Sequence, residues 1–224
     1  MKKALLIAHR GASFYEPENT LKAIKRALDF GVDGVEIDVR SSIEGNIVVF
    51  HDDTVDRTTN GTGKLRDMSL LEIRSLDAGK GEKIPLLEEV LELVKGKALL
   101  VIELKIAGIE ERVLEIVEKY DMLDNVLVTS FIHRSVKRVK ELNPEVKTGV
   151  IFRGAPINPS RLALDAGAEN LCAFHGYITW EMVEEVHEHG LKIYAWTVDE
   201  PPTIENLIML GVDGVVTNKP DIKI

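Results

Sequence analysis

Cysteine is nearly absent from this chain. With Cys172 alone among 224 residues, no internal disulfide can form, and the expected compartment is a reducing one. Long apolar runs are missing as well. The N-terminal stretch "MKKALLIAHRG" opens like a secretory leader, but its apolar run ends after five residues and no small-residue cleavage site follows. No run approaches the ~18 apolar residues of a membrane span. Aromatics make up only 5% of the chain and no basic amphipathic stretch stands out, so membrane insertion is not expected. Positive charge is the minority sign: 28 Lys and Arg face 37 Asp and Glu, a net charge of −9. That balance argues against a nucleic-acid partner and against an anionic bilayer surface. Glutamine is absent altogether while Glu and Lys abound, a composition that leans towards a thermophilic source. The expectation is a cytoplasmic protein with a small-molecule partner.

What is present is an ordinary globular composition, 45% hydrophobic and 29% charged, long enough to bury a full core as a single domain over 1–224. Apolar runs at 4–9, 34–39, 47–52, 98–105, 126–131, 147–152, 170–174, 192–198 and 214–218 read as strands. Between most of them lie amphipathic stretches read as helices, at 20–31, 109–120, 133–142, 158–167, 179–189 and 201–210. Near-continuous apolar strands alternating with helices predict a parallel sheet covered by helices. "GVDGVEIDV" and "GVDGVVTN" repeat one helix-stop and strand entry near the two ends of the chain. About eight such units predict an α/β fold of the TIM (β/α)8 barrel type. The rival, an open doubly wound sheet, lacks a Gly-rich fingerprint after the first strand.

Nine strand candidates are one too many for that barrel. The surplus is "IVVFHD" at 47–52, whose link to the preceding strand is too short for a parallel crossover and suits a hairpin. A turn centred on Glu44-Gly45 would set His51 opposite Asp38. The polar, Gly-rich stretch 53–85 then breaks the rhythm and reads as a small insertion after the hairpin, lying over the active-site face, with one short helix at 69–76.

The second strand, "VEIDV", raises a charge problem. Its alternation puts Glu36 and Asp38 on one face, where two carboxylates repel each other and resist burial. "VIELK" repeats the anomaly with Glu103 and Lys105. On barrel strands these positions converge at the C-terminal mouth, and three carboxylates there suit a hard divalent cation, Mg²⁺ or Ca²⁺ rather than Zn²⁺. Arg10 and Lys105 beside such an ion suit a phosphate. His9 and His51 could move protons on either side of it. The set reads as phosphoester cleavage. Each residue also has a plainer reading: a wet hairpin face for Glu36 and Asp38, a structural ion pair for Glu103 and Lys105, ordinary strand-end histidines for His9 and His51. Trp196 suits core and pocket equally. His133 is expected to cap a helix, His187 and His189 to be solvated, and Cys172 to be core.

"HRGASFYEPENT", "GVDGVEIDVR", "VVFHDDTVDRTTNGTG", "IPLLEEVL", "VIELK" and "AWTVDE…LGVDGVVTNKP" occur in that order. Together they resemble the glycerophosphodiester phosphodiesterase family from residue 9 to about residue 220. The resemblance implies a TIM barrel, a divalent metal on Glu36, Asp38 and Glu103, His9 and His51 as the general acid/base pair, and Arg10 and Lys105 on the phosphate. It places Glu18 and Asn19 near the mouth, with Asn19 steadying His9 or the site, and Trp196 beside a glycerol pocket. It implies hydrolysis of a glycerophosphodiester to sn-glycerol 3-phosphate and an alcohol; in similar enzymes the 2-hydroxyl of the glycerol attacks phosphorus first. Which histidine is acid and which is base stays open. The closing Thr-Asp-x-Pro motif is here Thr217-Asn218-Lys219-Pro220, a departure expected to touch no catalytic residue. A lysophospholipase D or related phospholipase on the same barrel, or a sensor that binds phosphodiesters without turnover, are the competing readings. A homodimer is compatible with barrel helices, yet no patch in the sequence marks one.

Overall fold

The computed structural model describes residues 4–222; the ends of the 1–224 domain reading, 1–3 and 223–224, lie outside the described residues. Eight strands run parallel and close on themselves: β1 (Leu5–His9), β2 (Gly34–Ser41), β4 (Leu99–Leu104), β5 (Val126–Ser130), β6 (Lys147–Phe152), β7 (Asn170–Phe174), β8 (Lys192–Trp196) and β9 (Gly214–Thr217). β1 pairs with both β9 and β2, which completes the ring. The fold is a TIM barrel with one extra strand, β3 (Ile47–Val49), antiparallel to the end of β2. Helices α1 (Leu21–Asp29), α3 (Leu87–Val94), α4 (Glu110–Lys119), α5 (His133–Leu142), α6 (Ser160–Leu164), α7 (Trp180–Glu188) and α8 (Pro201–Leu210) link successive barrel strands, and α2 (Leu70–Ser75) lies in the insertion.

The core follows from strand alternation. Outward-facing residues such as Val35, Ile37, Val128 and Ile193 are fully buried against the helices. Inward, Ile7, Val101, Leu127, Ile151, Cys172, Tyr194 and Val216 form an apolar plug, one residue from each barrel strand except β2. Register supplies the reason for that exception: the β2 residue opposite Val101 is Glu36. The barrel's filling layer is therefore broken by a carboxylate at β2.

The "GVDG" echo has a structural cause. Asp33 Oδ2 accepts from the Leu6 N–H at 2.9 Å, and Asp213 Oδ2 accepts from the Ile193 N–H at 3.0 Å. Each aspartate ties its turn to the strand behind it at the N-terminal end of the barrel. At Gly214 a Cβ would sit 2.7 Å from the Tyr194 ring, so no side chain fits there.

Three details differ from the sequence expectation. The hairpin loop is one residue shifted: Ser42 and Asn46 close it, with Gly45 at φ +83°, a three-residue connection that favours glycine at its left-handed position. Phe50, not His51, therefore stands opposite Asp38, its N–H donating to the Asp38 carbonyl at 2.9 Å. The strand itself covers 47–49 rather than 47–52. Finally, α3 was not among the expected helices; its Leu87, Val90, Leu91 and Val94 are buried at helical spacing, a pattern masked in the sequence by the Gly-rich stretch before it.

The insertion has a small core of its own. Val48, Phe50, Val55, Leu65, Ile73, Ala78 and Ile84 pack together. A single 3-10 turn (Leu65–Asp67) precedes α2, whose Ser69 and Glu72 form a reciprocal capping box.

Candidate active site

The C-terminal mouth holds one cavity lined by His9, Arg10, Glu36, His51, Glu103, Lys105, Thr129, Phe131, Cys172 and Trp196, among others. β1 delivers His9 and Arg10, β2 Glu36 and Asp38, β4 Glu103 and, just past its end, Lys105, and β8 Trp196. Backbone conformation helps to aim them. Arg10 sits at φ +55°, a left-handed geometry that non-glycine residues reach only at a cost of order 1 kcal/mol or more. Next to it, a Cβ on Gly11 would lie 2.6 Å from the Ala23 backbone of α1. Gly11 therefore lets the loop press against the helix.

Glu36 and Asp38 are buried, at 6% and 0% exposure, and Glu103 at 9%. The wet hairpin face is thereby excluded. One ligand oxygen from each of the three lies within 4.8 Å of the others. Burial, and then the neighbouring Asp38 and Glu103 charges, push the Glu36 carboxyl well above its usual range. Glu103 is raised likewise by burial and by Asp38. At Asp38 burial acts in the same sense, but Arg10 and Lys105 override it and hold the group below its usual range. Arg10 Nε lies 3.1 Å and Lys105 Nζ 3.5 Å from the two Asp38 oxygens, and Lys105 Nζ 2.6 Å from Glu103 Oε1.

A divalent cation fits this cluster. Glu36 Oε1 is a buried oxygen without a hydrogen-bond partner, and Asp38 Oδ1 makes none beyond its ion pair with Lys105, so both have lone pairs left for an ion. The donor set is all oxygen, as hard cations require.

The two histidines have different partners. Nδ1 of His51 lies 2.5 Å from Asp52 Oδ1. Nδ1 of His9 lies 2.7 Å from Asn218 Oδ1. Burial lowers the His9 pKa to about 4, aided by the Arg10 charge. Burial also lowers that of His51, with the Asp38 and Asp52 carboxylates opposing it. His51 lies beyond the β2–β3 ladder and is fixed instead by Arg40, whose Nε donates to its carbonyl oxygen at 2.7 Å.

Around these groups stands a clamp that the sequence does not announce. Arg57, from the insertion, donates to both oxygens of Glu18 at 2.8 and 2.9 Å and to both of Asp52 at 2.7 and 2.9 Å. Glu18 Oε1 also accepts from Arg10 Nη1 at 2.8 Å. Arg57 hydrogen bonds, with help from the His51 bond, hold the Asp52 carboxyl far below its ordinary value. One charged chain thus runs from Arg10 through Glu18, Arg57 and Asp52 to His51.

Most of the residues singled out in the sequence come together here. Asn19 does so with a different partner: it does not touch His9 but exchanges two bonds with Asp38, Nδ2 donating to Oδ2 at 2.8 Å and Oδ1 accepting the Asp38 N–H at 3.2 Å. Trp196 lines the cavity, its Nε1 donating to the Cys172 carbonyl at 2.8 Å and its ring edge-on to Phe131 and Phe174. The Asn218 departure, expected to be remote from the chemistry, bonds His9 directly. Asp52, Arg57, Asn218 and Asp199 were missed. Only Asp52, beside His51, carried a local signal; Arg57 reaches Glu18 39 positions away, Asp199 reaches Asn218 19 positions away, and Asn218 reaches His9 209 positions away. His133 opens α5 without capping it, its Nε2 lying 3.0 Å from the Ile151 carbonyl oxygen. Cys172 belongs to the apolar plug, its pKa pushed up to about 12 by burial.

A family model described as the Glycerophosphoryl diester phosphodiesterase family matches residues 9–222. A glycerophosphodiester phosphodiesterase of Caldanaerobacter subterraneus subsp. tengcongensis is 42% identical over 232 aligned positions, spanning 98% of this chain and 96% of the relative. Among solved structures, an Oleispira antarctica phosphodiesterase in complex with the product sn-glycerol-3-phosphate is similar at a TM-score of 0.92 and 31% identity, over 97% of this chain and 94% of that one. The glycerophosphodiester phosphodiesterase of Thermotoga maritima matches at 0.86 and 28% identity, over 99% of this chain and 97% of that one.

Proposed function

The chain belongs to the glycerophosphoryl diester phosphodiesterase family and is a phosphodiesterase of that kind, and from that premise we propose that it hydrolyses glycerophosphodiesters to sn-glycerol 3-phosphate and an alcohol with the help of a divalent cation, Mg²⁺ or Ca²⁺. The observation that carries this reading is the buried carboxylate trio with two oxygens that make no hydrogen bond, flanked in one cavity by two histidines and two basic side chains. Glu36, Asp38 and Glu103 would hold the ion, which when bound supplies charge to polarise the phosphoryl oxygens. Arg10 and Lys105 grip the phosphate. Arg10 brings a fork matched to two oxygens, and Lys105 a point charge.

His9, whose Nδ1 faces the neutral Asn218, takes the proton from the glycerol 2-hydroxyl as its oxygen bonds to phosphorus; the P–O bond to the alcohol breaks, and water then opens the cyclic phosphate to glycerol 3-phosphate. His51, whose Nδ1 faces the Asp52 carboxylate, is better able to carry a positive charge and gives its proton to the leaving alcohol. The half-exposed Phe131 and the Trp196 ring make the apolar side of the same cavity and suit the carbon skeleton of a glycerol.

Incubation of chelator-stripped protein with glycerophosphocholine, with and without Mg²⁺ or Ca²⁺, tests the reading. Glycerol phosphate is expected only when metal is restored. Equal release without metal contradicts the ion's role, binding without turnover makes the protein a sensor, and faster cleavage of a lysophospholipid makes it a lysophospholipase.

A further inference from the structure

Asn218 stands where the resemblance expects an acid, and its surroundings decide which way its amide points. Its Oδ1 lies 2.7 Å from His9 Nδ1 and 2.9 Å from Ser13 Oγ; its Nδ2 lies 2.7 Å from Asp199 Oδ2. A carboxylate can only accept, so the NH₂ must face Asp199 and the carbonyl oxygen must face His9. Asp199 is itself fixed: Oδ1 accepts from the Asn218 backbone N–H at 2.8 Å and from Thr217 Oγ1 at 3.0 Å. A carbonyl oxygen has no proton to give. His9 must therefore carry its own hydrogen on Nδ1, leaving Nε2 bare on the side of Glu36, whose Oε2 is 3.9 Å away.

We propose that Asn218, oriented by Asp199, is a positioning residue that locks His9 as the Nδ1–H tautomer and points its unprotonated Nε2 into the cavity. The relay Asp199–Asn218–His9 joins the loops after β8 and β9 to the end of β1 and uses no net charge at the last step. It does for His9 what the Asp52 carboxylate does for His51, with a neutral acceptor in place of a charged one. A neutral acceptor fixes direction and tautomer while favouring the imidazolium less than a carboxylate would, which suits a group that must begin proton-free. Its catalytic consequence rests on His9 being the proton acceptor proposed above; the tautomer itself does not.

The experiment is ¹⁵N NMR of protein labelled at histidine, recorded at pH 8 with long-range ¹H–¹⁵N correlation, which tells protonated from bare ring nitrogens. His9 is identified by the resonance lost in His9→Ala. Wild type is expected to show one pattern, Nδ1–H with bare Nε2. Asn218→Leu removes the acceptor and should yield a mixture rich in the Nε2–H form that free imidazole favours in water. Asn218→Asp restores an acceptor and should restore the Nδ1–H pattern. Asp199→Ala frees the amide to turn and should give a mixture with Asn218 still present, which keeps the test open if the leucine variant fails to fold. Retention of the pure Nδ1–H pattern in Asn218→Leu, or in Asp199→Ala where the leucine variant does not fold, overturns the inference. Turnover is read on the same samples, where kcat is expected to fall tenfold or more in Asn218→Leu with KM nearly constant. A tautomer that shifts while kcat stays constant supports the relay and overturns the reading of His9 as proton carrier.

Discussion

Single side chains at this mouth are where the proposed chemistry is tested, and their removal has separable expected consequences. His9→Ala or His51→Ala is expected to lower turnover at least about a hundredfold, the usual contribution of a positioned acid or base; glycerol phosphate release by each variant measures it, and wild-type turnover would remove that histidine from the mechanism. Arg57 lies outside the cavity lining but gives four hydrogen bonds to Glu18 and Asp52. Replacing it with Met leaves Arg10 without its braced partner and His51 without a fixed Asp52. Both KM and kcat should worsen, and partial recovery on adding free guanidinium would identify the missing group. Unchanged constants would mean that the clamp idles.

Among the elements, the insertion is the one whose stability can be separated from the rest. Its residues pack around Leu65 and Ile73, each essentially fully buried, in a cluster distinct from the barrel's two. Truncation of a buried leucine to alanine costs about 3 kcal/mol or more where the site cannot collapse. Leu65→Ala should therefore open 53–85 to protease before the barrel strands yield, and should lower activity by loosening Arg57. Simultaneous digestion of insertion and barrel would show that the two unfold as one unit. The hairpin makes a related point about register. A four-residue turn in place of the three-residue one would set His51 opposite Asp38 but would move Phe50 out of that small core.

At the scale of the whole molecule, the mouth weakens the fold that carries it, and the pH dependence follows from the directions of the shifts. Glu36 and Glu103 have raised values in the folded state, so their contribution to stability is present below the ordinary 4.5 and is lost as pH rises through their folded values. His9 is lowered from 6.5 to about 4, and Asp38 is lowered too; theirs is present above the unfolded value and lost as pH falls through the folded one. The two glutamates thus draw down the stability of the metal-free protein as pH rises above the ordinary 4.5, while His9 adds stability up to about its unfolded 6.5. A divalent ion competes with protons for the same oxygens. Calorimetry at pH 6.5 and pH 8 with and without Mg²⁺ should show a larger rise in Tm at the higher pH. A rise that is larger in acid would place the ion elsewhere.

Sequence alone determined a good deal here, because the barrel architecture and the grouping of acidic side chains at its mouth are both written locally. Alternation every two residues put Glu36 with Asp38 and Glu103 with Lys105, apolar strands between helices called for a closed parallel sheet, and the surplus strand betrayed its hairpin by a short link. Short-range spacing contains that information since it is the period of the backbone itself. Tertiary structure decided the rest: which residue of the hairpin faces Asp38, that Asn19 serves Asp38, that Arg57 reaches back to Glu18, and that Asn218 holds His9 from the far end of the chain. Those contacts join positions from 12 to 209 apart, and the longest of them exists only once the ring has closed and brought the ends of β1 and β9 side by side.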